Sequence, residues 1–174
     1  MKKQRGVTLV EACATLAVAT IVATSAAPSM QQLLDARRFD GTASQLASDL
    51  QFTRVSALAR NQRVRFSLPT NAAGSCYVIH TGGADACRCG DGGPAVCSGG
   101  ANEIRTVRMP ATDRVFVQAN VASILFDPVH GTSTPTGTLR VIGTNGRELR
   151  HVVNVMGRVR TCAPQGQVGG YRAC

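Results

Sequence analysis

The stretch Arg5-Gly6-Val7-Thr8-Leu9-Val10-Glu11, continued by an apolar run that ends near Ala27, decides how this chain is built. From Val7 to Ala27 the only ionisable side chains are Glu11 and Cys13. A run of about twenty apolar or small residues is long enough to cross a bilayer as a helix, at about 1.5 Å rise per residue. The leader before it, Met1-Lys2-Lys3-Gln4-Arg5-Gly6, is basic and is expected to stay in the cytoplasm. A secretory signal would carry a small-residue cleavage site after its apolar run. Here the expected processing point lies before it. Glu11 is the anomaly, because a carboxylate inside an apolar segment is costly unless paired and so marks function. A glutamate near a helix N-terminus is also favoured by the helix dipole.

Gly6-Val7-Thr8-Leu9-Val10-Glu11 resembles the prepilin signal of type IV pilins and type II secretion pseudopilins. The resemblance implies that a prepilin peptidase cuts between Gly6 and Val7 and methylates the new N-terminus. Glu11 would then be fifth in the processed chain and pair with the α-amino group of a neighbouring subunit's Val7 during assembly. Val7 departs from the family's usual phenylalanine, and Pro28 falls where many pilins carry a helix-kinking proline. The partners implied are other pilins or pseudopilins, the peptidase, and the inner membrane before assembly. The implied location is the inner membrane, single-pass with the head in the periplasm, and a pilus at the cell surface after assembly.

Composition limits the rest. In 174 residues an anchor leaves about 110 for one globular head. Aromatics are 4% and Trp is absent, so the core must rest on Val, Leu, Ile and Ala, and cross-links are expected to help it. Formal net charge is +9, and without Lys2, Lys3 and Arg5 it is +6. Residues 7–60 hold four Arg and four acids, and 61–136 hold six Arg and five acids. Residues 137–174 hold Arg140, Arg147, Arg150, Arg158, Arg160 and Arg172 against Glu148 alone. A basic excess gathered in one quarter of a chain points to a polyanionic partner.

Beyond Cys13, six cysteines remain: Cys76, Cys87, Cys89, Cys97, Cys162 and Cys174. An even number in an exported head reads as a disulfide framework, and six cysteines allow fifteen full pairings. The expected arrangement closes the C-terminus with Cys162–Cys174 and pairs the other four among themselves. Zinc is the rival, but Cys87-Arg88-Cys89 lacks the two-residue spacer of structural zinc sites. No metal and no cofactor is expected.

Taken in order, the chain reads as a leader (1–6), a transmembrane and filament-core helix half (7–28), an amphipathic half (29–60) and a β-rich head (61–174) with a basic C-terminal region (137–174). Phe39, Ala43, Leu46 and Leu50 form a helical stripe that leaves Asp40, Ser44, Gln45, Ser48 and Asp49 off it. From Arg63 the period becomes two, with Val64, Phe66 and Leu68 on one side. Further strands are expected at 76–80, 104–109, 114–118, 121–126, 138–142, 148–155 and 158–162, with Asn145-Gly146 as a hairpin signal. Residues 81–102 are glycine-rich and are expected to bury little, as an exposed loop held by disulfides. One helix followed by many short strands predicts an α+β fold: a long N-terminal helix, transmembrane then amphipathic, packed on a C-terminal antiparallel sheet. That is the type IV pilin-like architecture the resemblance implies.

The segment from Ile124-Leu125-Phe126-Asp127-Pro128-Val129-His130-Gly131 to Gly157-Arg158-Val159-Arg160 resembles the GspH/FimT subfamily of minor pseudopilins. In FimT-type minor pilins the closing Gly-Arg-x-Arg is associated with DNA binding in natural transformation, which implicates Arg158 and Arg160. In an extended segment residues two apart share a face, so these two arginines project together while Val159 turns inward. Each guanidinium can grip a phosphate by paired hydrogen bonds. Arg140, Arg147, Arg150 and Arg172 are candidates to extend the patch. Nothing supplies base-edge readout, so binding to DNA is expected to be sequence-independent and salt-sensitive. The alternative function is a type II secretion pseudopilin with a structural role. His80, His130 and His151 are scattered, with no His-x-x-x-His pair and no Gly-x-Ser-x-Gly elbow, and no enzyme is expected.

Overall fold

A computed structural model describes residues 8–71, 74–90, 92–166 and 168–174. The leader and the Gly6–Val7 junction lie outside the described residues. Helix α1 runs from Leu9 to Arg60. Thr8 caps it, its hydroxyl accepting the Glu11 N–H at 3.3 Å, which satisfies one of the helix's free donors. Asn61 ends it in the left-handed region at φ 47°, its N–H turned back to the Ala57 and Leu58 carbonyls. Pro28 lies inside the helix. The described side chains of the first half of α1 are exposed, and this half, with a window of mean hydropathy 1.8, is long and apolar enough to cross a membrane.

The second half packs on the head. Phe39, Ala43, Leu46 and Leu50 are all buried, and the stripe continues through Thr53 and Ala57. Asp49, read from the sequence as lying off this stripe, is instead 1% exposed. The Tyr77 hydroxyl donates to its carboxylate at 2.6 Å, and the Arg105 guanidinium pairs with it while lying 5.2 Å over the Phe52 ring. A carboxylate is tolerated there because both its oxygens are satisfied. Burial and this hydrogen bond push the Tyr77 hydroxyl pKa up.

Twelve strands are seen among the described residues, all paired antiparallel: β1 Val64–Ser67, β2 Thr70–Asn71, β3 Gly74–Thr81, β4 Cys87–Cys89, β5 Ala95–Cys97, β6 Glu103–Pro110, β7 Phe116–Ala119, β8 Ser123–Phe126, β9 Ser133–Thr134, β10 Gly137–Ile142, β11 Glu148–Val153 and β12 Val159–Cys162. The first sheet runs β2-β3-β1-β8-β9, with β6 on the other side of β3. The second runs β12-β11-β10-β7. One core joins the helix stripe to Val64, Phe66, Tyr77, Ile79, Ile124 and Phe126 of the first sheet and to Val117, Leu139, Val141, Leu149 and Val153 of the second. Phe66 and Tyr77 stack with centroids 4.8 Å apart, a favourable aromatic pair.

The glycine-rich segment differs from its sequence reading. Its own residues are mostly exposed, yet β4 and β5 form a hairpin lying over the outer face of the first sheet. Cys76–Cys89 staples it to β3, and Cys87–Cys97 ties its two strands. Arg108 donates to the Gly90 and Gly93 carbonyls from the neighbouring strand. Beneath it Cys76, Val78, His80 and Ser67 are buried. Cross-links and backbone hydrogen bonds do here what a hydrophobic face does elsewhere, so hydrophobic periodicity gave no sign of it.

Two consequences concern stability. Asp49→Ala would strip the buried Tyr77 hydroxyl of its acceptor and is expected to cost about 2–3 kcal/mol, the half-exposed Arg105 adding little. Urea unfolding followed by the near-ultraviolet circular dichroism of Tyr77 checks this. The second concerns His151, buried on the inner face of β11 with Nδ1 2.9 Å from Thr161 Oγ1. Its other nitrogen, Nε2, is buried without a hydrogen-bond partner among the described residues. Burial lowers its pKa from 6.5 to about 4. Below pH 6.5 the unfolded chain takes up a proton that the folded chain refuses, so stability is present above pH 6.5 and falls as pH drops towards 4. The expected loss is about 3 kcal/mol, measured by unfolding at pH 7 and pH 4. His151→Gln is expected to remove that share of the slope.

Candidate nucleic-acid interface

Register places the arginines. Leu139 of β10 pairs with His151 of β11, and His151 with Thr161 of β12; the buried members of these strands face the core. Alternation then sends Arg140, Arg150 and Arg160 to the outward face. Arg140 and Arg150 sit directly opposite each other, and Arg160 lies opposite Val152, one diagonal step from Arg150. Arg158 lies just before β12, two residues ahead of Arg160, and Val159 between them packs inward against the core. Arg160, on the edge strand β12, and Arg158, just before it, are exposed, and neither has an ion-pair partner among the described residues.

The turn that delivers these arginines is tightly held. The Gly157 N–H donates to the Asn154 carbonyl at 2.8 Å, and the Arg158 N–H to Asn154 Oδ1 at 2.9 Å. Ser133 adds two bonds, from its hydroxyl to the Asn154 carbonyl at 2.6 Å and from its N–H to the Val155 carbonyl at 2.9 Å. Gly157 has φ +69°, and a Cβ there would overlap the Gly131 carbonyl oxygen and sit 2.9 Å from Arg54 Cδ. Gly131, at φ +62°, closes the turn that begins at Asp127. The Asp127 carboxylate accepts the Val129 and His130 N–H groups at 3.0 and 2.9 Å, and the His130 and Val129 bonds lower its pKa. Arg54 of α1 donates from Nε to the Gly131 carbonyl at 2.9 Å. The Phe126–Gly131 turn and the Gly-Arg-x-Arg segment, distant in sequence, therefore meet on the helix.

The remaining candidates divide. Arg140 grips Glu148 with both ends of its fork, at 2.8 and 2.9 Å, and Arg150 Nε reaches the same carboxylate at 2.8 Å. The hydrogen bond from Arg140 leads in holding the Glu148 carboxyl well below its usual range, at about 2. Arg147 is turned away: it follows the short 3-10 turn Thr144–Gly146 and stacks over Phe39 of the helix, 5.3 Å from the ring centre. Arg172 is exposed on the C-terminal tail, which the Cys162–Cys174 disulfide and the Ala163 N–H bond to the Arg172 carbonyl hold beside the end of β12. The Glu148 clamp escaped the sequence reading, although Glu148 and Arg150 at i and i+2 already shared a face.

Other chemistry finds little footing. His80 Nδ1 donates to the Thr81 carbonyl at 2.8 Å, leaving Nε2 to accept from the Ser67 hydroxyl at 2.8 Å, but both residues are buried beneath the hairpin. Among the described residues no group of His, Cys, Asp and Glu is arranged to hold a metal ion.

The family described as type II transport protein GspH matches residues 42–157. Two crystal forms of the type IV minor pilin FimU from Pseudomonas aeruginosa have a similar fold. One is 15% identical with a TM-score of 0.53, covering 76% of this chain and 98% of that one. The other is 14% identical with a TM-score of 0.54, covering 76% and 93%. No curated protein sequence matches the chain.

Gly157→Ala tests the turn. Left-handed backbone and overlap with a carbonyl oxygen together are expected to cost more than about 2 kcal/mol. Hydrogen exchange at the Arg158 N–H, which should quicken in the variant, reports whether the loss is local.

Proposed function

The chain belongs to the GspH family of pilin-like proteins, and on that premise we propose that it is a FimT-like minor type IV pilin that binds DNA through its C-terminal arginines during DNA uptake. What carries the proposal is the exposure of Arg158, just before an edge strand, and of Arg160 within it, both without ion-pair partners among the described residues and both following a tightly bonded turn. Arg140 and Arg150 lie on the same face, so four arginines there meet one acid, Glu148. Such a surface suits phosphates and offers no base-edge reader, so binding is sequence-independent and weakens with salt.

The rest of the proposal follows from family membership. The Gly6–Val7 junction is the site of cleavage and methylation, Glu11 pairs with a neighbouring subunit during assembly, and the exposed apolar half of α1 anchors the subunit in the inner membrane with its head in the periplasm. Thr8 capping the Glu11 N–H agrees with a helix that begins close to the processed end. The family's description as a transport protein favours a second reading, a secretion pseudopilin with a structural role, which gives the arginine face no task.

Fluorescence polarisation of labelled duplex DNA with the detergent-solubilised full chain separates the two. Arg158→Ala/Arg160→Ala is expected to weaken binding about tenfold or more and to reduce the slope of log affinity against log salt by about two. Binding unaffected by the double substitution would overturn the site. No binding at low salt would favour the secretion reading.

A further inference from the structure

We infer that Glu148 is a built-in competitor for the arginine face, holding Arg140 and Arg150 side by side while occupying the N–H groups that a phosphate would otherwise take. This rests on the DNA-binding reading and adds to it a residue that sets the strength of the interaction. The carboxylate takes Nε and one terminal nitrogen of Arg140, the side of the fork best matched to a bidentate anion. From Arg150 it takes Nε alone, and among the described residues both terminal nitrogens of that guanidinium are left for an outside anion. The two arginines therefore differ: Arg150 is half available, Arg140 largely committed.

The register explains why one carboxylate serves both. Glu148 pairs with Ile142, so it lies one diagonal step from Arg140 across the strands and two residues from Arg150 along its own. Like charges directly opposite each other repel, and the Arg140–Arg150 pair would be unfavourable without a shared anion. Glu148 removes that repulsion in the free protein. It lowers the surplus on the face from four charges to three, so the face binds polyanions reversibly and with a shallower salt dependence than four unopposed arginines. A subunit that must release DNA after capturing it needs such a limit.

Two substitutions separate charge from shape in the full-length protein. Glu148→Gln keeps the length and one acceptor oxygen but removes the charge. Affinity for labelled duplex DNA is expected to rise about three- to tenfold at moderate salt, with a salt slope steeper by about one as Arg140 gains a phosphate. Glu148→Asp keeps the charge and shortens the reach, and affinity is expected to stay at or below that of the parent. If Glu148 were merely structural, both substitutions would weaken binding together and leave the slope unchanged. Glu148→Gln no tighter than the parent, while Arg158→Ala/Arg160→Ala still weakens binding, would overturn the role of Glu148 and leave the DNA-binding reading standing. No DNA binding by parent and Glu148→Gln alike would overturn both.

Discussion

Two glycines in backbone contact, Gly131 and Gly157, fix where the arginine-bearing strand begins. Both have positive φ, and Arg54 of the helix is bonded to the carbonyl of one and packed against the other. The contact has no room for a β-carbon at 157. It joins the end of α1, the turn after β8 and the β11–β12 hairpin into a single joint. Because Arg158 follows Gly157 directly, the direction of the first arginine is set by main-chain geometry. A loop would have to order such side chains on binding, at an entropic cost that this arrangement has already met in folding.

The head divides its tasks between its two sheets. The first sheet is covered on both faces, by α1 within and by the stapled hairpin without. Among the described residues the second is covered on its inner face alone, and its outward face carries the charge. The few aromatic residues are concentrated in the core, where Phe39, Phe66, Tyr77 and Phe126 are its largest buried side chains, and the cross-linked hairpin extends burial to the outer face of the first sheet. The Asp49–Tyr77–Arg105 group adds a polar tie between α1, β3 and β6.

How much of this could be read from residue order depends on the range of the interaction. The stripe Phe39, Ala43, Leu46, Leu50 was legible because helical period alone produces it. The strand from Val64 was legible through its period of two. Asp49 was not, since its partners lie 28 and 56 residues away and nothing local distinguishes it from Ser48 or Asp40. The β4–β5 hairpin was hidden because disulfides and glycine carbonyls hold it. At the candidate site, the pairing of Arg158 with Arg160 around an inward Val159 is what their spacing implies for an extended segment. The alignment of Arg140 with Arg150 needed the register of a hairpin, and the departure of Arg147 needed the turn before it. The Gly131–Gly157 contact was foreshadowed only by two separate motifs; their meeting is tertiary.

The most direct measurement is a nuclear magnetic resonance titration of the detergent-solubilised chain with a short DNA duplex, following the arginine side-chain Nε signals. If the outward face of the second sheet is the DNA-binding surface, Arg158 and Arg160 shift first and most, Arg150 follows, and Arg147, stacked on Phe39, stays still. Shifts centred on Arg88 in the stapled hairpin or on Arg37 and Arg38 of the helix, with Arg158 and Arg160 unmoved, would contradict it.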